Sequence, residues 1–364
     1  MLGSGIVVPL LPLYAESLGA SGVWLGAIFA GYSVSRTIFT PIFGRLSDRS
    51  GRKRFICIGL FFYAIISLGF IWANSVSQLV LIRLVHGVAG AMILPIAQAY
   101  IGDISPEGEE GKWMGYSNAA FFSGFGFGPL MGGVMTEYLG MDVAFLTMGG
   151  LNLLAFFIAI FFLPEVSQKK LVAGLQPSFK EMRKSGIMNG LFSFRLALTF
   201  GRSAFSTFLP IFAVAVIGLR PASIGTMLAI YMLLSAVLGI PSGRVADRYS
   251  RRMLVTIGGV VSVAYLALVP TAHEFWQLLM LCALGSLGGA IAMPAATALT
   301  VEEGRKFGMG ATIAVFNVAL SIGMTVGPLL GGLIADFINI NSVFYFGAIV
   351  TLLGAGVFIW FTRS

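Results

Sequence analysis

Apolar runs of about twenty residues follow one another from end to end of this chain, and they leave it few ways to fold. A helix that spans a bilayer needs about 20 mostly apolar residues. Runs of that kind fall near residues 23–43, 55–73, 79–101, 114–135, 144–163, 188–216, 223–243, 253–271, 277–299, 308–334 and 342–361. Of the 364 residues 57% are hydrophobic and only 10% charged, against roughly 25% charged in a soluble domain. Such a chain cannot cover a water-facing surface. A twelfth run, Met1 to Ala15, precedes Glu16. It is short for a span, which predicts a first helix truncated at its start, with the true beginning upstream.

The net charge of +8 would point to nucleic acid in a soluble protein, but here it has another cause. Arg45, Arg49, Arg52, Lys53, Arg54, Lys112, Lys169, Lys170, Lys180, Arg183, Lys184, Arg244, Arg248, Arg251, Arg252, Arg305, Lys306 and Arg363 all fall in alternate loops. The opposite side has only Arg220, while Arg36, Arg83, Arg195 and Arg202 lie inside spans. Basic loops stay in the cytoplasm, so the loops after even-numbered helices and both termini are expected there, in a cell inner or plasma membrane. No basic region followed by a cleavage site marks a signal peptide at the N-terminus. Cys57 and Cys282 fall in spans and read as small packing residues. The hydrophilic stretch 165–186 contains Pro177, which argues against one continuous helix. It reads as a cytoplasmic linker between a bundle at 1–164 and a second at 187–364.

The halves repeat at a constant offset of 199 residues. Gly44-Arg45-Leu46-Ser47-Asp48-Arg49 aligns with Gly243-Arg244-Val245-Ala246-Asp247-Arg248, and Pro95 with Pro294. Gly124, Gly128, Pro129, Gly132 and Gly133 align with Gly323, Gly327, Pro328, Gly331 and Gly332. One register held across such separated motifs is not chance. Two parallel six-helix repeats about an axis along the membrane normal are the plan of alternating-access transporters.

The segment from Gly44 to Arg54, with Asp48, Arg49, Gly51 and Arg52, resembles the loop signature G-x-L-a-D-r-x-G-r-k of the major facilitator superfamily. Gly44 suits close helix approach and Gly51 a tight turn, while Asp48 can accept hydrogen bonds from Arg or from a helix N-terminus of the opposite half. That is the chemistry of a gating latch. In the second copy, with Gly243, Asp247 and Arg248, Ser250 replaces the second glycine and predicts a weaker one. Helix 5 reads Gly115, Gly124, Gly128-Pro129 and Gly132-Gly133, the superfamily's antiporter signature G-x8-G-x3-GP-x2-GG without a departure. Small residues on one face let helices pack closely. Helix 4 carries Arg83-Leu84-Val85-His86-Gly87, similar to R-x-x-q-G with His for Gln. His86 is open to two roles, a proton relay or a plain hydrogen bond to Arg83.

The resemblance spans both halves and identifies the chain as similar to the twelve-helix drug–proton antiporter branch, the multidrug- and tetracycline-type exporters. It implies an all-α membrane protein of the major facilitator fold, two six-helix bundles related by a pseudo-two-fold axis. The implied energy source is the proton gradient, with no cofactor, no metal and no catalytic residue. The implied partners are the lipid bilayer, protons and a small molecule, with no nucleic acid, and the protein is expected to be a monomer.

No acid falls at mid-membrane by these spans. Glu16 and Asp103, near helix ends, join Arg83 and His86 as proton-coupling candidates, and the coupling carboxylate is expected upstream of Met1. Four intramembrane arginines make the interior electropositive, which suits neutral or anionic amphipathic substrates. The superfamily's cavity is lined mainly by helices 1, 4, 7 and 10, with contributions from 2, 5, 8 and 11, and the resemblance makes Tyr32, Arg36, Gln98, Asn118, Arg202 and Asn317 candidate polar contacts. Phe121, Phe122, Phe205 and Tyr231 are candidate apolar walls. No phosphate-cradling loop is present, which argues against ATP drive. The expected activity is proton-coupled efflux of drug-like or amphipathic molecules. The alternatives are an uptake symporter or uniporter for a sugar or organic acid, and a transport-dead sensor or scaffold. The intact helix 5 motif opposes the first, and the intact gating motif opposes the second.

Overall fold

A computed structural model describes residues 1–106, 110–165, 182–307 and 309–363. Within them the chain is helical throughout. The twelve α-helices are α1 Leu2–Ser17, α2 Gly22–Ser50, α3 Arg52–Ile71, α4 Val76–Ile104, α5 Glu110–Leu139, α6 Met141–Phe162, α7 Gly186–Ala215, α8 Pro221–Arg248, α9 Arg251–Leu268, α10 Phe275–Phe307, α11 Met309–Phe337 and α12 Ile340–Thr362. A 3-10 turn, Val269–Thr271, follows α9. Positive-φ glycines end the turns at Gly19, Gly51, Gly140 and Gly218. The side chains of Ser75, Ser185, Ser250 and Asn339 cap the starts of α4, α7, α9 and α12 by accepting a backbone N–H three residues on, which satisfies one of the donors that every helix start leaves open.

Nine helices among the described residues are long and apolar enough to cross a bilayer. The chain is a multi-pass integral membrane protein. α1 has 16 residues, about 24 Å at 1.5 Å per residue, against a hydrocarbon core of about 30 Å. α2 is long enough, but Gly, Ser, Thr and Arg36 dilute its apolar run. Large apolar side chains such as Phe161, Phe162, Leu353 and Trp360 point outward from α6 and α12, as a lipid solvent requires.

The packing obeys the sequence repeat. α1 lies on α5 and α6, and α3 on α4 and α6; in the second half α7 lies on α11 and α12, and α9 on α10 and α12. Two compact units result. Unit 1 holds Met1–Ala20, Ala27–Leu171 and Arg220–Ala229; unit 2 holds Ser21–Gly26, Val172–Leu219 and Ile230–Ser364. The first turns of α8 therefore group with unit 1, and those of α2 with unit 2. Ile56, Met92, Ile96 and Tyr100 form one core cluster of unit 1, and Ile6, Leu10 and Ala144 another. Unit 2 is centred on Leu191, Phe194, Leu198, Val255, Ala292 and Phe358. Both cysteines are buried and free. Most of the stretch 165–186, including Pro177, lies outside the described residues.

Candidate functional site

Four groups of residues are candidates for the chemistry, and each copy of a group is built within one unit. The first is the turn between α2 and α3. Gly51, at φ +90°, lets the chain reverse there as the sequence predicts. Arg52, the first residue of α3, then sits between two carboxylates. It pairs with Asp48 at 2.9 Å and with Asp103 in the last turn of α4. Its guanidinium also donates to Ser47 Oγ at 3.4 Å. Asp48 thus has a partner in its own half, and Asp103, read from sequence as a proton carrier, is held in an ion pair. Gly44 is not needed for close approach in this arrangement, because a Cβ there would meet nothing within 4 Å. Arg49 and Arg248 are exposed. In unit 2, Arg251 takes the place of Arg52 and pairs with Glu302, the counterpart of Asp103. A Cβ at Gly243 would meet open space, and the Asp247 side chain lies outside the described residues.

The second group is the glycine face of α5. A Cβ on Gly128 would lie 2.5 Å from Gly5 Cα, and one on Gly132 would lie 2.6 Å from the Ile6 carbonyl oxygen. Gly124 faces the start of α1, where an added Cβ would lie 3.0 Å from Leu2 N. Gly133 faces the first turns of α8 instead, where an added Cβ would lie 3.1 Å from Gly225 Cα. Backbone meets backbone along the whole seam, and Pro129 lies within it. The repeat holds in α11, where Gly323 and Gly327 face the α7 backbone at Leu196 and Phe200. The surroundings of Gly115 lie outside the described residues.

The third group is a buried cation cluster in unit 1. Arg83 on α4 is 8% exposed and His86 2%. The guanidinium donates to His86 Nδ1 at 3.1 Å and to the Ile28 carbonyl at 3.4 Å. It also lies 4.4 Å from the centre of the Tyr32 ring and 5.5 Å from that of Phe29. Guanidinium has no acceptor, so Nδ1 must accept and the imidazole proton sits on Nε2. That Nε2 is buried without a hydrogen-bond partner. Tyr63 and Phe70 on α3 stand edge-on to the imidazole at 4.3 and 5.9 Å. The Tyr32 and Tyr63 hydroxyls meet at 3.3 Å. Gly90 makes the space, since a Cβ there would sit 2.7 Å from the Tyr63 hydroxyl. Sequence reasoning missed Tyr63, because an aromatic in an apolar run carries no signal of its own.

The fourth group was also missed. Glu137, in the last turn of α5, accepts from the Ala222 N–H at 3.1 Å and lies 3.6 Å from Arg220. Asp336, in the last turn of α11, accepts from the N–H of Gly22 at 2.5 Å and of Val23 at 2.9 Å. Each carboxylate sits at the N-terminal end of a helix, where free N–H groups and the helix dipole favour a negative charge. Glu137 and Asp336 are 199 apart, as are Val23 and Ala222. The repeat register was the available signal; both acids read as loop residues because the helices run past the apolar stretch.

Of the remaining candidates, Arg36 is half-buried, 6.0 Å from the Tyr32 ring centre. Arg202, Phe205 and Tyr231 come together in unit 2. Gln98, Phe122, Asn317 and Glu16 are exposed, and Phe121 stacks on Phe125 at 5.5 Å. The Asn118 side chain lies outside the described residues. No cluster of three metal-ligating side chains occurs among the described residues.

The comparisons with known proteins give the family and the fold. The family model of the Major Facilitator Superfamily matches residues 1–221 and again 191–364. The quinolone resistance protein NorA of Staphylococcus aureus is 28% identical over 358 residues, 97% of this chain and 91% of that protein. An uncharacterized MFS-type transporter of Methanocaldococcus jannaschii is 28% identical over 360 residues, 97% of this chain and 92% of that one. In fold the chain resembles a bacterial homolog of the human lysosomal transporter Spinster, whose structure is of the inward-facing and occupied conformation. The TM-score is 0.83 at 12% identity, covering 100% of this chain and 93% of the other. A variant of the nucleoside transporter NupG gives 0.82 at 15% identity over 99% and 96%. At such identities the likeness is one of fold alone.

Proposed function

The chain belongs to the major facilitator superfamily, a multi-pass membrane transporter of small molecules and not an enzyme, and on that premise we propose that it exports drug-like or amphipathic molecules against an inward flow of protons. The glycine seam of α5 carries the proposal. Contact of Gly124, Gly128 and Gly132 with the α1 backbone leaves no room for solute to leak between those helices, which an antiporter needs while substrate and proton alternate. The 28% identity to a quinolone resistance protein over 97% of the chain supports a drug-like substrate.

In this reading the halves 1–164 and 187–364 move as bodies joined by 165–186. The positive-inside rule puts the Arg52 and Arg251 ion pairs at the cytoplasmic face, where they brace the loop motif. Glu137 and Asp336 then lie at the outer face, as caps that hold the first turns of α8 and α2 and release them when the outer side opens. Arg83 and His86 lie beside the proton path, with Nε2–H as a hydrogen-bond donor to water or substrate and not as the group that takes up the proton.

Everted vesicles that contain the protein, an imposed proton gradient and a pH-sensitive dye test the proposal. Cationic, neutral and anionic amphiphiles are added in turn, with Asp48→Asn as the control. Proton release that requires a compound and fails in the control is expected. Silence across the panel with folded protein overturns proton-coupled export.

A further inference from the structure

Unit 2 holds a second cation–aromatic cluster, and it differs from the first in one respect that bears on substrate. Arg202 lies midway along α7, and its guanidinium stands 5.5 Å from the centre of the Tyr231 ring on α8. Phe205, one turn along α7, contacts the Tyr231 ring at 5.6 Å and the Tyr265 ring of α9 at 5.3 Å, edge to face. Gly289 on α10 leaves space beside the guanidinium, because a Cβ there would lie 3.3 Å from its Nη1. Gly285, one turn earlier, seats Tyr265, whose ring carbons lie 3.0 Å from where a Cβ would stand.

The register makes the comparison direct. Tyr231 corresponds to Tyr32, Gly289 to Gly90, and Gly285 to His86. Cys282 stands where the first half has Arg83. The cation has therefore moved from the fourth helix of its half to the first, and the Tyr265 ring packs against the position that corresponds to the imidazole. In unit 1 the guanidinium is fastened to His86 and a backbone carbonyl. In unit 2 neither the Tyr231 nor the Tyr265 hydroxyl reaches a partner at full hydrogen-bond geometry, although Tyr231 is 4% and Tyr265 0% exposed; Tyr231 lies close to both the Arg202 guanidinium and the Tyr265 hydroxyl without closing either bond. Buried hydroxyls are rarely left without a partner. Among the described residues no carboxylate comes within ion-pair distance of Arg202, the described acids being engaged elsewhere or at helix ends. Arg195, two turns earlier on the same helix, adds a second guanidinium. It is held over Phe316 at 4.9 Å and against Met293 sulfur at 2.6 Å, and its Nε is buried without a partner.

We infer that Arg202, Tyr231 and Tyr265 form a subsite for an anionic group of the transported molecule, a carboxylate or similar oxyanion carried on an aromatic or aliphatic body. A fixed guanidinium and two phenolic O–H donors supply what an oxyanion accepts, and among the described residues no acid pairs with this guanidinium or stands beside it to receive an ammonium. An uncompensated charge inside a span is a functional site by default, and the flanking rings of Phe205 and Tyr231 suit the apolar body. The inference rests on the transporter reading and names the charge of what that site takes.

Binding tests it without any proton gradient. The full-length protein in nanodiscs, at a pH where the acid is ionised, is titrated with naphthylacetate, naphthylacetamide and naphthylethylamine, which share one ring system. The wild type is expected to bind the carboxylate at least about tenfold more tightly than the amide, the value of one charge-assisted hydrogen bond. Arg202→Gln should erase that preference and Arg202→Lys keep part of it. Tyr231→Phe and Tyr265→Phe should each weaken the carboxylate about threefold or more and the amide by less, since its carbonyl accepts the weaker, neutral hydrogen bond. Retained amide binding and thermal unfolding verify the fold, and the two Phe variants carry the test if Arg202→Gln does not fold. Failure of the carboxylate to bind, equal affinity for carboxylate and amide, or a preference that survives Arg202→Gln in folded protein, overturns the subsite. Proteoliposomes with a proton gradient separate this from the export proposal. Carboxylate binding without coupled flux sinks export and keeps the subsite. Coupled flux of the amine alone, without carboxylate preference, does the reverse.

Discussion

A single methyl group placed on Gly128 is expected to cost the protein both stability and transport, and its size can be worked from the α1–α5 contact. The added Cβ would lie 2.5 Å from Gly5 Cα, 2.6 Å from the Gly5 carbonyl carbon and 2.7 Å from the Leu2 carbonyl oxygen. All three atoms are backbone, so no rotamer change can make room. Ordinary contact begins at 3.4 Å, and 3.4 less 2.5 leaves a deficit of 0.9 Å that α1 and α5 must take up by moving apart. Overpacking of this kind costs about 1–3 kcal/mol. Gly150→Ala on α6 is the matched control: its Cβ would meet nothing within 4 Å, and alanine's helix preference favours it by up to about 1 kcal/mol. Gly124→Ala belongs between the two, with its nearest backbone atom at 3.0 Å. Thermal unfolding of the purified variants and compound-dependent proton flux in vesicles are measured side by side. The order Gly150→Ala, Gly124→Ala, Gly128→Ala is expected in both. If Gly128→Ala unfolds with Gly150→Ala and transports like wild type, the seam is not the close-packed element described above.

Three further outcomes follow from the other groups. His86→Gln keeps an acceptor for the Arg83 guanidinium, so coupled transport is expected within about threefold of wild type; His86→Leu leaves the donor unmatched, at about 1–3 kcal/mol, and should lower both melting temperature and flux. Loss of coupling in folded His86→Gln would instead assign the proton to the imidazole. A double-mutant cycle on Arg52 and Asp103, whose side chains are 16% and 20% exposed, should give a larger coupling energy than one on Arg251 and Glu302, at 28% and 52%. About 1.5–3 kcal/mol is expected for the first and about 0.2–1 kcal/mol for the second, and equal values would count against the gating asymmetry. Glu137→Gln and Asp336→Asn each remove one charge from a helix N-terminus, worth about 0.3–1 kcal/mol. Their effects on thermal stability should add in the double variant, since the two caps share no partner; a double variant no less stable than wild type would remove the caps from the account.

The fold was legible because its constraints act on every residue. Lipid demands long apolar helices, alternate loops hold the Lys and Arg, and one register carries Gly44 to Gly243 and Pro129 to Pro328. The site was legible only in part, and the reason is geometric. Arg83 and His86 share a helix face, so their pairing follows from spacing. Tyr63 and Tyr265 reach their clusters from neighbouring helices, and nothing in a local pattern marks an aromatic that points inward. Glu137 and Asp336 were hidden because α5 and α11 continue beyond their apolar stretches. The repeat itself could have exposed both acids, and it also explains where the halves part. Residues that hold helices together recur in both halves: Gly128 with Gly327, Arg52 with Arg251, Glu137 with Asp336. On the proposed alternating-access reading, two halves that move as bodies need matching seams and matching stops. Residues that face a solute have no such need, because a small molecule without two-fold symmetry cannot offer the same group to both halves. Arg83 against Cys282, and His86 against Gly285 with Tyr265 seated on it, are where the register is kept and the chemistry is not. A transporter of this build is therefore read best by its broken symmetry, and swapping Arg202→Leu with Gly289→Arg, which puts the cation back on the helix that carries it in the first half, should fail to restore carboxylate preference even in folded protein.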